Sequence, residues 1–436
     1  MAVTSPRNAP PVRGAWADSA GGGAGKGWLG FLGTLRPANA AVICILAGLA
    51  LSLLGVYAID IGAGQHGAQA GGGGEGASQR STPLFGLHGV ALKQLLFLGV
   101  GCLAAVVTVT PHYRLFGRAS WALLAGVVGL LVFLLVPAVP SWLVTPRNGT
   151  RGWINLGVVD LQPAELAKIA FVLVVAWHMR YRSTHRRLAG LLPLGAIAAA
   201  PIALITLQPD LGSALLFVPA LFAMLVAAGA KLKHLSLIVL LAVLAVPASY
   251  PILRPHQQAR IVGLVKQFQG DRSLDQEINM QAVTAQRMIA SGGVLGNSEP
   301  AARAILHFNR LPERHNDMVF AVIVHRFGLL GGVATLLLYL IWVGGALLAA
   351  ASTRDPFGRL VVVGLAAFVA AQAVINVGMN VGLLPIIGVT LPFVSYGGSS
   401  LVTVWAMNGL IFNVAVRRPR PPYRQSFEYA DDDDQA

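Results

Sequence analysis

Glu165 and Lys168 are two charged residues inside the apolar stretch LQPAELAKIAF. Because they are three positions apart, they share one face of a helix. Ionisable side chains at membrane depth are costly, and they face a cavity or a partner there. The pair therefore either lines a polar site or forms an internal ion pair that fixes helix packing, and the spacing favours neither interpretation.

Four further polar residues interrupt apolar stretches. Asp210 follows Pro209 and precedes the apolar run of LQPDLGSALLF, so we predict a helix N-cap in preference to a site residue. Gln372, Asn376 and Asn380 recur at every fourth position, which gives an amide stripe along one helix face. In a membrane such a stripe joins helices or lines a polar path, and joining helices is the favoured interpretation.

The stretch 254–316 carries the highest density of polar groups between the apolar runs. Asp271 and Asp275 lie in it, followed by SGGVLG at 291–296, and LPERHNDMVFA spans 311–321. A long structured loop above a membrane cavity is where function is expected. Lone acidic residues in such a loop are more often simply solvated, so position alone assigns them no role.

Residues 383–401, LLPIIGVTLPFVSYGGSSL, break an apolar region with two prolines and three glycines. Proline removes a backbone donor, and glycine permits unusual backbone angles. At membrane depth, broken backbone is tolerated only where protein buries it or where it lines a wet cavity. The segment therefore predicts a re-entrant, polar-lined structure, whereas composition alone favours a plain loop between two helices.

The composition is that of an integral membrane protein. Of 436 residues, 55% are hydrophobic and 11% are charged, against about 25% charged in an ordinary soluble chain. The formal charge of +14 bears on membrane orientation more than on nucleic acid, and we predict no nucleic-acid partner. Cys44 and Cys102 give no disulfide framework, and His307 and His315 are not spaced as metal ligands.

We predict an all-α fold with about ten transmembrane helices, because a helix needs about 20 apolar residues to cross the hydrocarbon. The candidate spans lie near 39–59, 90–110, 119–140, 163–180, 188–206, 211–230, 235–253, 317–350, 358–381 and 396–416. The eighth is long enough to tilt or to begin in a loop.

With ten spans, every short basic joint falls on the same side of the membrane. These joints are 111–118, 178–188, 231–234 and 351–359, and the basic segment 417–424 follows them. The positive-inside rule places them, and both termini, in the cytoplasm. The large loop 254–316 and the broken segment then face the extracytoplasmic side.

The chain divides into three predicted parts: a disordered cytoplasmic tail at 1–36, a membrane domain at 37–418 and a cytoplasmic tail at 419–436. The first tail is rich in Ala, Gly and Pro and has no apolar core of a signal peptide. Within the membrane domain, the Gly-rich stretch 61–88 predicts a flexible insert.

Six motifs occur in an order that resembles one family of bacterial membrane proteins. They are LQPAELAK, LQPDLGSALLF, SGGVLG, LPERHNDMVFA, NVGMNVGLLP and TLPFVSYGGSS. Together they resemble the SEDS proteins, named for shape, elongation, division and sporulation, over roughly residues 39–418. NVGMNVGLLP and LPERHND resemble the elongation branch, the RodA type, more than the division branch, the FtsW type.

The resemblance implies a peptidoglycan glycosyltransferase of the bacterial cytoplasmic membrane that polymerises lipid II, a polyprenyl-pyrophosphate disaccharide-peptide, during cell elongation. The 4-hydroxyl of one disaccharide attacks C1 of the other, and polyprenyl pyrophosphate leaves. Such a step needs a carboxylate base near the hydroxyl and cations at the departing pyrophosphate. The resemblance implies no certain cofactor, and a divalent cation at the pyrophosphate is compatible with this chemistry. Family members work with a class B penicillin-binding protein, a transpeptidase, so we expect that partner.

The resemblance also implies roles for individual residues. Asp275 lies closest to the family's essential Asp, one residue nearer to Ser291 than the usual spacing, and Asp271 is the alternative. The substrate-binding residues that the family pattern indicates are Glu165, Lys168, Arg260, Ser395 and Ser399.

The chain departs from the family pattern around the outer loop. The Gln-Ser pair expected after the essential Asp is absent from DQEINMQAVTAQRMIASGG, and Asn297 follows GGVLG where a glycine is usual. The Thr-Asp of the LPE motif is Asn316-Asp317, and the acidic pair expected before Gly-Leu is His325-Arg326. The scaffold motifs are intact while the loop that carries the chemistry has diverged, which leaves the identity of the base open.

Two other functions fit a ten-span protein with a polar cavity. A lipid II flippase should carry charged or amide residues through the full membrane depth, whereas the polar residues here cluster on the predicted outer side, apart from the amide stripe. A non-catalytic scaffold that recruits a transpeptidase fits the diverged loop. An assay of purified protein with labelled lipid II, alone and with its partner, separates these functions.

Overall fold

A computed structural model describes residues 37–417 except 64–88, 141, 145–149, 158–159, 251–254, 270, 272, 275–278 and 310. The described part is almost entirely helical. One short antiparallel pair, β1 (Ile154–Asn155) and β2 (Asp160–Leu161), interrupts the helices. The predicted tails at 1–36 and 419–436, and nearly all of the predicted insert at 61–88, lie outside the described residues.

The helices succeed one another with short connections, apart from the stretches outside the described residues. In chain order they are α1 (Pro37–Ala63), α2 (Gly89–Val109), α3 (Tyr113–Leu135), α4 (Pro163–Met179), α5 (Leu192–Leu207), α6 (Leu211–Leu215), α7 (Phe217–Ala227), α8 (Leu232–Ser249), α9 (Pro255–Phe268), α10 (Met280–Gly292), α11 (Glu299–Asn309), α12 (Val319–Ala351), α13 (Pro356–Asn380) and α14 (Gly398–Val416). Two 3₁₀ turns, Thr184–Arg186 and Leu188–Leu191, precede α5.

Seven helices of the described part are long and apolar enough to cross a membrane: α1, α2, α3, α5 with the preceding turn, α12, α13 and α14. The other predicted spans fall on shorter helical stretches, which are α4 with 17 residues, α6 with α7, and α8 with 18 residues. The predicted all-α membrane fold is therefore confirmed, and the number of crossings stays a prediction.

The longest helix, α12, bends at Gly328, where φ of 69° and ψ of −168° are not helical. A Cβ atom at this position would lie 2.2 Å from the carbonyl oxygen of Val294, so the close approach requires glycine. The segment SGGVLG lies against this bend, and Leu329 N donates to the Gly293 carbonyl at 2.9 Å. The predicted eighth span thus consists of a short first part packed on the loop and a longer second part.

Residues 381–397, between α13 and α14, form no helix. The backbone passes through positive φ at Gly382 and Gly388, with values of 80° and 73°. Helix α1 runs directly against this segment, since a Cβ on Gly55 would lie 2.3 Å from the Val394 carbonyl oxygen. A broken segment with buried side chains between two apolar helices agrees with the predicted re-entrant structure.

Three phenylalanines join α4, α7 and α13 at the centre of the apolar core. Phe171, Phe217 and Phe368 meet edge to face, with ring centroids 5.2 Å to 6.2 Å apart. Aromatic rings prefer this geometry, and each buries a large area. The cluster fixes α4 beside α13, and this placement brings the charged pair of α4 to the amide stripe of α13.

Candidate active site

The Glu165–Lys168 pair lies at the start of α4. Pro163 occupies the first turn, where its missing N–H breaks no helical bond, and Glu165 follows where the helix dipole favours negative charge. Lys168 Nζ lies 2.7 Å from Glu165 Oε1 and donates to Gln372 Oε1 of α13 at 3.1 Å. Glu165 is 6% exposed and Lys168 is 1% exposed. The ion pair therefore fixes α4 to α13, while its predicted role in substrate binding stays a prediction.

The amides of the α13 stripe bind the backbone of other segments. Gln372 Nε2 donates to the Thr390 carbonyl oxygen at 2.9 Å. Asn376 Nδ2 and Asn380 Nδ2 both donate to the Asp317 carbonyl oxygen at 2.8 Å. The stripe thus holds the broken segment and the start of α12 on α13, which confirms the helix-joining interpretation.

The hydroxyls of Ser395 and Ser399 connect the broken segment and α14 to neighbouring loops. Ser395 Oγ donates to the Asn316 carbonyl oxygen. Ser399 Oγ donates to the Asp160 carbonyl oxygen and accepts from Gln162 N at 3.0 Å. Both hydroxyls hold the backbone in place, and their predicted contact with substrate stays a prediction.

Asp210 caps the N-terminus of α6, as predicted. Its Oδ1 accepts from Ser213 N at 3.0 Å, and its Oδ2 lies 3.5 Å from Gln162 Nε2. Burial raises the pKa of Asp210, the Ser213 hydrogen bonds and Lys168 oppose the rise, and Glu165 adds to it. The cap is therefore within electrostatic reach of the buried ion pair.

Arg260, on α9, lies at a small, partly open pocket of about 20 Å³ beside the broken segment. The residue is exposed, and its Nη1 donates to the Ile386 carbonyl oxygen at 2.6 Å. Gln267 and Asn279 also line the pocket. A guanidinium has five N–H donors in a fork that matches phosphate oxygens, so this contact leaves Arg260 able to bind an anion.

Of the two predicted catalytic residues, only Asp271 lies among the described residues, and Asp275 lies outside them. The Asp271 carboxylate is exposed, accepts from Ser273 N at 2.9 Å and lies 3.4 Å from Lys266 Nζ. The hydrogen bonds from Ser273 lower the pKa of Asp271, and Lys266 lowers it further. A carboxylate held in this way is a weaker base than a free one.

Asp317 is a buried carboxylate that the sequence did not assign to the site. It lies two residues before α12 and is 6% exposed, and its Oδ1 has no hydrogen-bond partner among the described residues. Burial raises the pKa of Asp317 to about 7, Glu313 adds to the rise, and Arg260 opposes it. The sequence offered one signal, an acidic residue just before an apolar run, and that pattern is typical of a helix cap. Met318 takes the cap position instead, without a side-chain hydrogen bond.

A second group that the sequence analysis missed joins α1 to α11. Arg303 Nη2 lies 2.6 Å from Asp60 Oδ2 and 2.9 Å from Glu299 Oε1. The hydroxyl of Tyr57 donates to Glu299 Oε2 at 3.1 Å. This network fixes the loop helix α11 to the end of α1, and the isolated Asp60 in the apolar run YAIDIG was the signal that could have revealed it.

Two departures from the family pattern contact each other in the structure. Asn297 Nδ2 donates to the His325 carbonyl oxygen at 2.9 Å, and Arg326 Nη1 donates to the Asn297 carbonyl oxygen at 2.8 Å. Ser291 Oγ lies 2.8 Å from His325 Nδ1. The diverged positions therefore form one hydrogen-bonded unit beside the bend of α12.

Comparison with known proteins matches this chain to one family. The family model for FtsW, RodA and SpoVE, described as cell cycle protein, matches residues 78–419. Stage V sporulation protein E of Bacillus subtilis is 30% identical over 329 residues, which are 74% of this chain and 86% of the relative. A probable peptidoglycan glycosyltransferase FtsW of Thiomicrospira cyclica is 35% identical over 333 residues, which are 74% of this chain and 81% of the relative.

A solved structure has a similar fold. It is a chain from a structure on the coordination of polymerization and crosslinking by a peptidoglycan synthase complex. The two chains superpose with a TM-score of 0.68 at 27% sequence identity, covering 85% of this chain and 96% of the other.

Proposed function

The chain belongs to the SEDS family of FtsW, RodA and SpoVE proteins, and from this premise we propose that it polymerises lipid II into glycan strands as a peptidoglycan glycosyltransferase. One observation carries the proposal: the family motifs meet in space. The amides of α13 hold the ion pair of α4, the broken segment and the LPERHND turn together, and Arg260 binds the broken segment from the loop side.

The proposed chemistry joins two lipid II molecules. The 4-hydroxyl of one disaccharide attacks C1 of the other, the glycosidic bond forms, the C1–oxygen bond to pyrophosphate breaks, and the hydroxyl proton passes to a carboxylate. Arg260 binds the departing pyrophosphate, where a fixed cation stabilises the developing charge. The binding surface on the membrane side is supported by four residues: Glu165, Lys168, Ser395 and Ser399.

Asp275 is the proposed base, with Asp271 as the alternative. Asp271 is the weaker candidate because its exposed carboxylate is already hydrogen bonded to Ser273 and paired with Lys266. Among the described residues, no three His, Cys, Asp or Glu side chains converge as a metal site. A divalent cation, where one takes part, would supply charge stabilisation at the pyrophosphate, since Mg²⁺ commonly binds together with substrate phosphates.

The test is an in vitro polymerisation assay with labelled lipid II and purified protein. General-base catalysis contributes about 10²–10⁴-fold, so Asp275→Asn should remove detectable glycan while protein level and partner binding persist. Asp271→Asn is the matched variant in the same loop and should retain activity. If both single variants and the double variant polymerise as the parent does, neither carboxylate is the base.

We propose a class B penicillin-binding protein as the partner and the elongation branch as the cellular role. The motifs NVGMNVGLLP and LPERHND support the elongation branch, whereas the curated relatives carry division and sporulation names. Depletion of the protein separates the branches, because round cells support an elongation role and long filaments support a division role. Co-purification with the cell's class B transpeptidases identifies the partner.

A non-catalytic scaffold is the second candidate, and the diverged unit of Asn297, His325 and Arg326 favours it. A parent protein that makes no glycan with its transpeptidase, yet supports cell shape, would establish the scaffold. Transfer of labelled lipid II across vesicles, without polymerisation, would establish a flippase instead.

The chain is a multi-pass bacterial membrane protein, and we propose that both termini are cytoplasmic. Ser183 and Ser273 are exposed and lie on opposite sides in this topology. In a chain with Cys44 and Cys102 replaced by serine, an impermeant thiol reagent should label Ser273→Cys in intact spheroplasts and leave Ser183→Cys unlabelled. Labelling of both from outside would refute the topology.

A further inference from the structure

Three arginines meet at the end of the helix bundle opposite the candidate site. Arg114 and Arg118 lie in the first two turns of α3 and are exposed, and Arg417 directly follows α14. Arg417 Nη2 donates to the carbonyl oxygens of Val109 and Thr110, which brings the end of α14 to the joint between α2 and α3. Cations from two distant parts of the chain therefore converge on one joint.

His112, in this joint, reports how close the three cations are. Desolvation lowers the pKa of His112 most, and the charges of Arg114 and Arg417 lower it further. Arg118 acts in the same direction, and the carboxylate of Asp355 opposes it. All three guanidinium groups are therefore within electrostatic reach of the same imidazole ring.

The cluster carries more positive charge than its own carboxylate neutralises. Asp355, which is 5% exposed, accepts from the Tyr113 hydroxyl at 2.7 Å, and the same Oδ2 lies 3.5 Å from Arg114 Nε. Three guanidinium groups against this one carboxylate leave two positive charges in excess among these residues. Excess cations beside a membrane attract anionic lipid headgroups.

The exposed face of α3 continues from these cations into an apolar surface. Arg114, Arg118 and Trp121 follow one another at helical spacing, and Trp121 is 50% exposed. Ala125 and Gly129 extend the same face by two more turns and are also exposed. Because α3 is long and apolar enough to cross a membrane, this face meets lipid, with a tryptophan just below the basic residues as at a membrane interface.

Other arginines at this end of the bundle lie against groups of the protein itself. The guanidinium of Arg180 lies 3.0 Å from the ring centroid of Trp177, and Arg186 Nε donates to the Gly229 carbonyl oxygen at 3.3 Å. The two α3 arginines differ from these because they stand on a lipid-facing surface beside a third cation. Positive charge alone therefore does not distinguish this cluster, whereas its position does.

We propose that the start of α3 is a binding site for an anionic phospholipid. The guanidinium groups of Arg114, Arg118 and Arg417 bind the phosphodiester of the headgroup, since each presents a fork of donors that matches phosphate oxygens. The acyl chains lie along the α3 face below Trp121, where small side chains leave room for them. The inference goes beyond the proposed function, because this lipid is bound at the opposite end of the bundle from the candidate site and is not consumed.

The experiment adds phosphatidylglycerol with brominated acyl chains to the full-length protein in a neutral detergent and measures quenching of tryptophan fluorescence. This lipid should quench at lower concentration than brominated phosphatidylcholine, which has no net charge. The difference between the two lipids should largely disappear in Trp121→Phe, because Trp121 is the tryptophan beside the proposed site. Inorganic phosphate at constant ionic strength should not displace the lipid, and displacement would show a site for a free anion instead.

Charge variants test the headgroup contacts. A Lys or Arg near a membrane surface contributes about 5-fold in affinity for an anionic lipid. Arg118→Gln should therefore weaken binding of phosphatidylglycerol about 5-fold, and Arg118→Gln with Arg417→Gln about 25-fold. Arg118→Lys keeps the charge and should stay close to the parent. The matched control, Lys231→Gln with Lys233→Gln, removes two exposed charges from the joint between α7 and α8 at the same end and should bind as the parent does.

The inference is overturned if the lysine control loses as much affinity as the double arginine variant, because attraction would then be general to the basic end. It is also overturned if brominated phosphatidylglycerol quenches Trp121→Phe as strongly as the parent. If the double variant does not fold, because Arg417 holds the end of α2, Arg118→Gln decides alone. A parent that polymerises lipid II without preferring phosphatidylglycerol refutes this inference and leaves the proposed function standing.

Discussion

Two equally buried carboxylates of this protein, Glu165 and Asp317, have opposite surroundings. Each is 6% exposed. Glu165 has the ammonium of Lys168 at 2.7 Å, and that ammonium also reaches Gln372. Asp317 has an oxygen without a partner in the described part of the chain, and the charge of Glu313 works against its ionisation.

The paired carboxylate of Glu165 is compatible with a stable fold, whereas the carboxylate of Asp317 lowers the stability of the fold when it is ionised. A buried charge is tolerated when a partner and hydrogen bonds compensate its lost hydration. An uncompensated carboxylate responds by a raised pKa, and it lowers stability whenever it is ionised. Groups that cost stability are candidates for function, because nothing in the fold itself requires them.

The largest effect is expected from breaking the compensated pair. Lys168→Ala leaves the Glu165 charge buried without a partner, and this should lower the free energy of unfolding by about 3–5 kcal/mol and abolish activity. Thermal unfolding of the detergent-purified protein measures the loss. The charge swap, Glu165→Lys with Lys168→Glu, should rescue only in part, because Gln372 remains placed for an ammonium at position 168.

The neutral double variant sharpens this test. Glu165→Gln with Lys168→Met leaves no unpaired charge, so it should be more stable than either Glu165→Ala or Lys168→Ala alone. Full stability and activity of the single variants would show that the pair is dispensable, and the contrast with Asp317 would then disappear.

The next effect has the opposite sign, because Asp317→Asn should stabilise the protein at alkaline pH. The pKa of Asp317 is raised from 3.8 to about 7, so the fold favours the protonated form. This contribution to stability is complete below the ordinary pKa and is lost as the pH rises through about 7. At about pH 8 the ionised group costs on the order of 4 kcal/mol, and the asparagine variant avoids that cost.

Melting temperatures of parent and Asp317→Asn check this prediction at about pH 5 and about pH 8. The gap should be wide at the higher pH and narrow at the lower one. A higher melting temperature of Asp317→Asn at about pH 8 would show that the ionised carboxylate costs stability and is not required by the fold. A lower melting temperature at both pH values would instead show that Asp317 supports the fold.

The Glu165–Lys168 ion pair could be predicted from the sequence, and so could much of the fold. Long apolar runs locate the spanning helices because the hydrocarbon demands about 20 apolar residues. Pro163 and Asp210 mark helix starts through local backbone chemistry that needs no knowledge of the rest of the chain. The i, i+3 spacing of Glu165 and Lys168 already implies contact, so the ion pair followed from the helix alone.

The environment of Asp317 could not be predicted from the sequence in this way. Asp317 is buried because its turn is held on α13, where Asn376 and Asn380, distant in the sequence, both donate to the Asp317 carbonyl oxygen. The Asp60–Arg303 ion pair likewise joins residues 243 positions apart. The pairing of Asn297 with His325 depends on the bend at Gly328, which an apolar run does not reveal.

The smallest effect is expected at Asp271, a carboxylate outside the comparison because it is neither buried nor unpaired. Asparagine keeps an oxygen that can accept from Ser273 N, so Asp271→Asn should preserve the turn and remove only the exposed contact with Lys266. Pairs of exposed charges add little to stability. The pKa of Asp271 is lowered, so its ionised form is favoured at every pH of the lipid II assay, and any stability it adds is lost only in acid. Melting temperature and polymerisation rate should therefore both match the parent. A large loss of rate in Asp271→Asn, with Asp275→Asn active, would make Asp271 the base and show that an exposed, solvated carboxylate performs the chemistry.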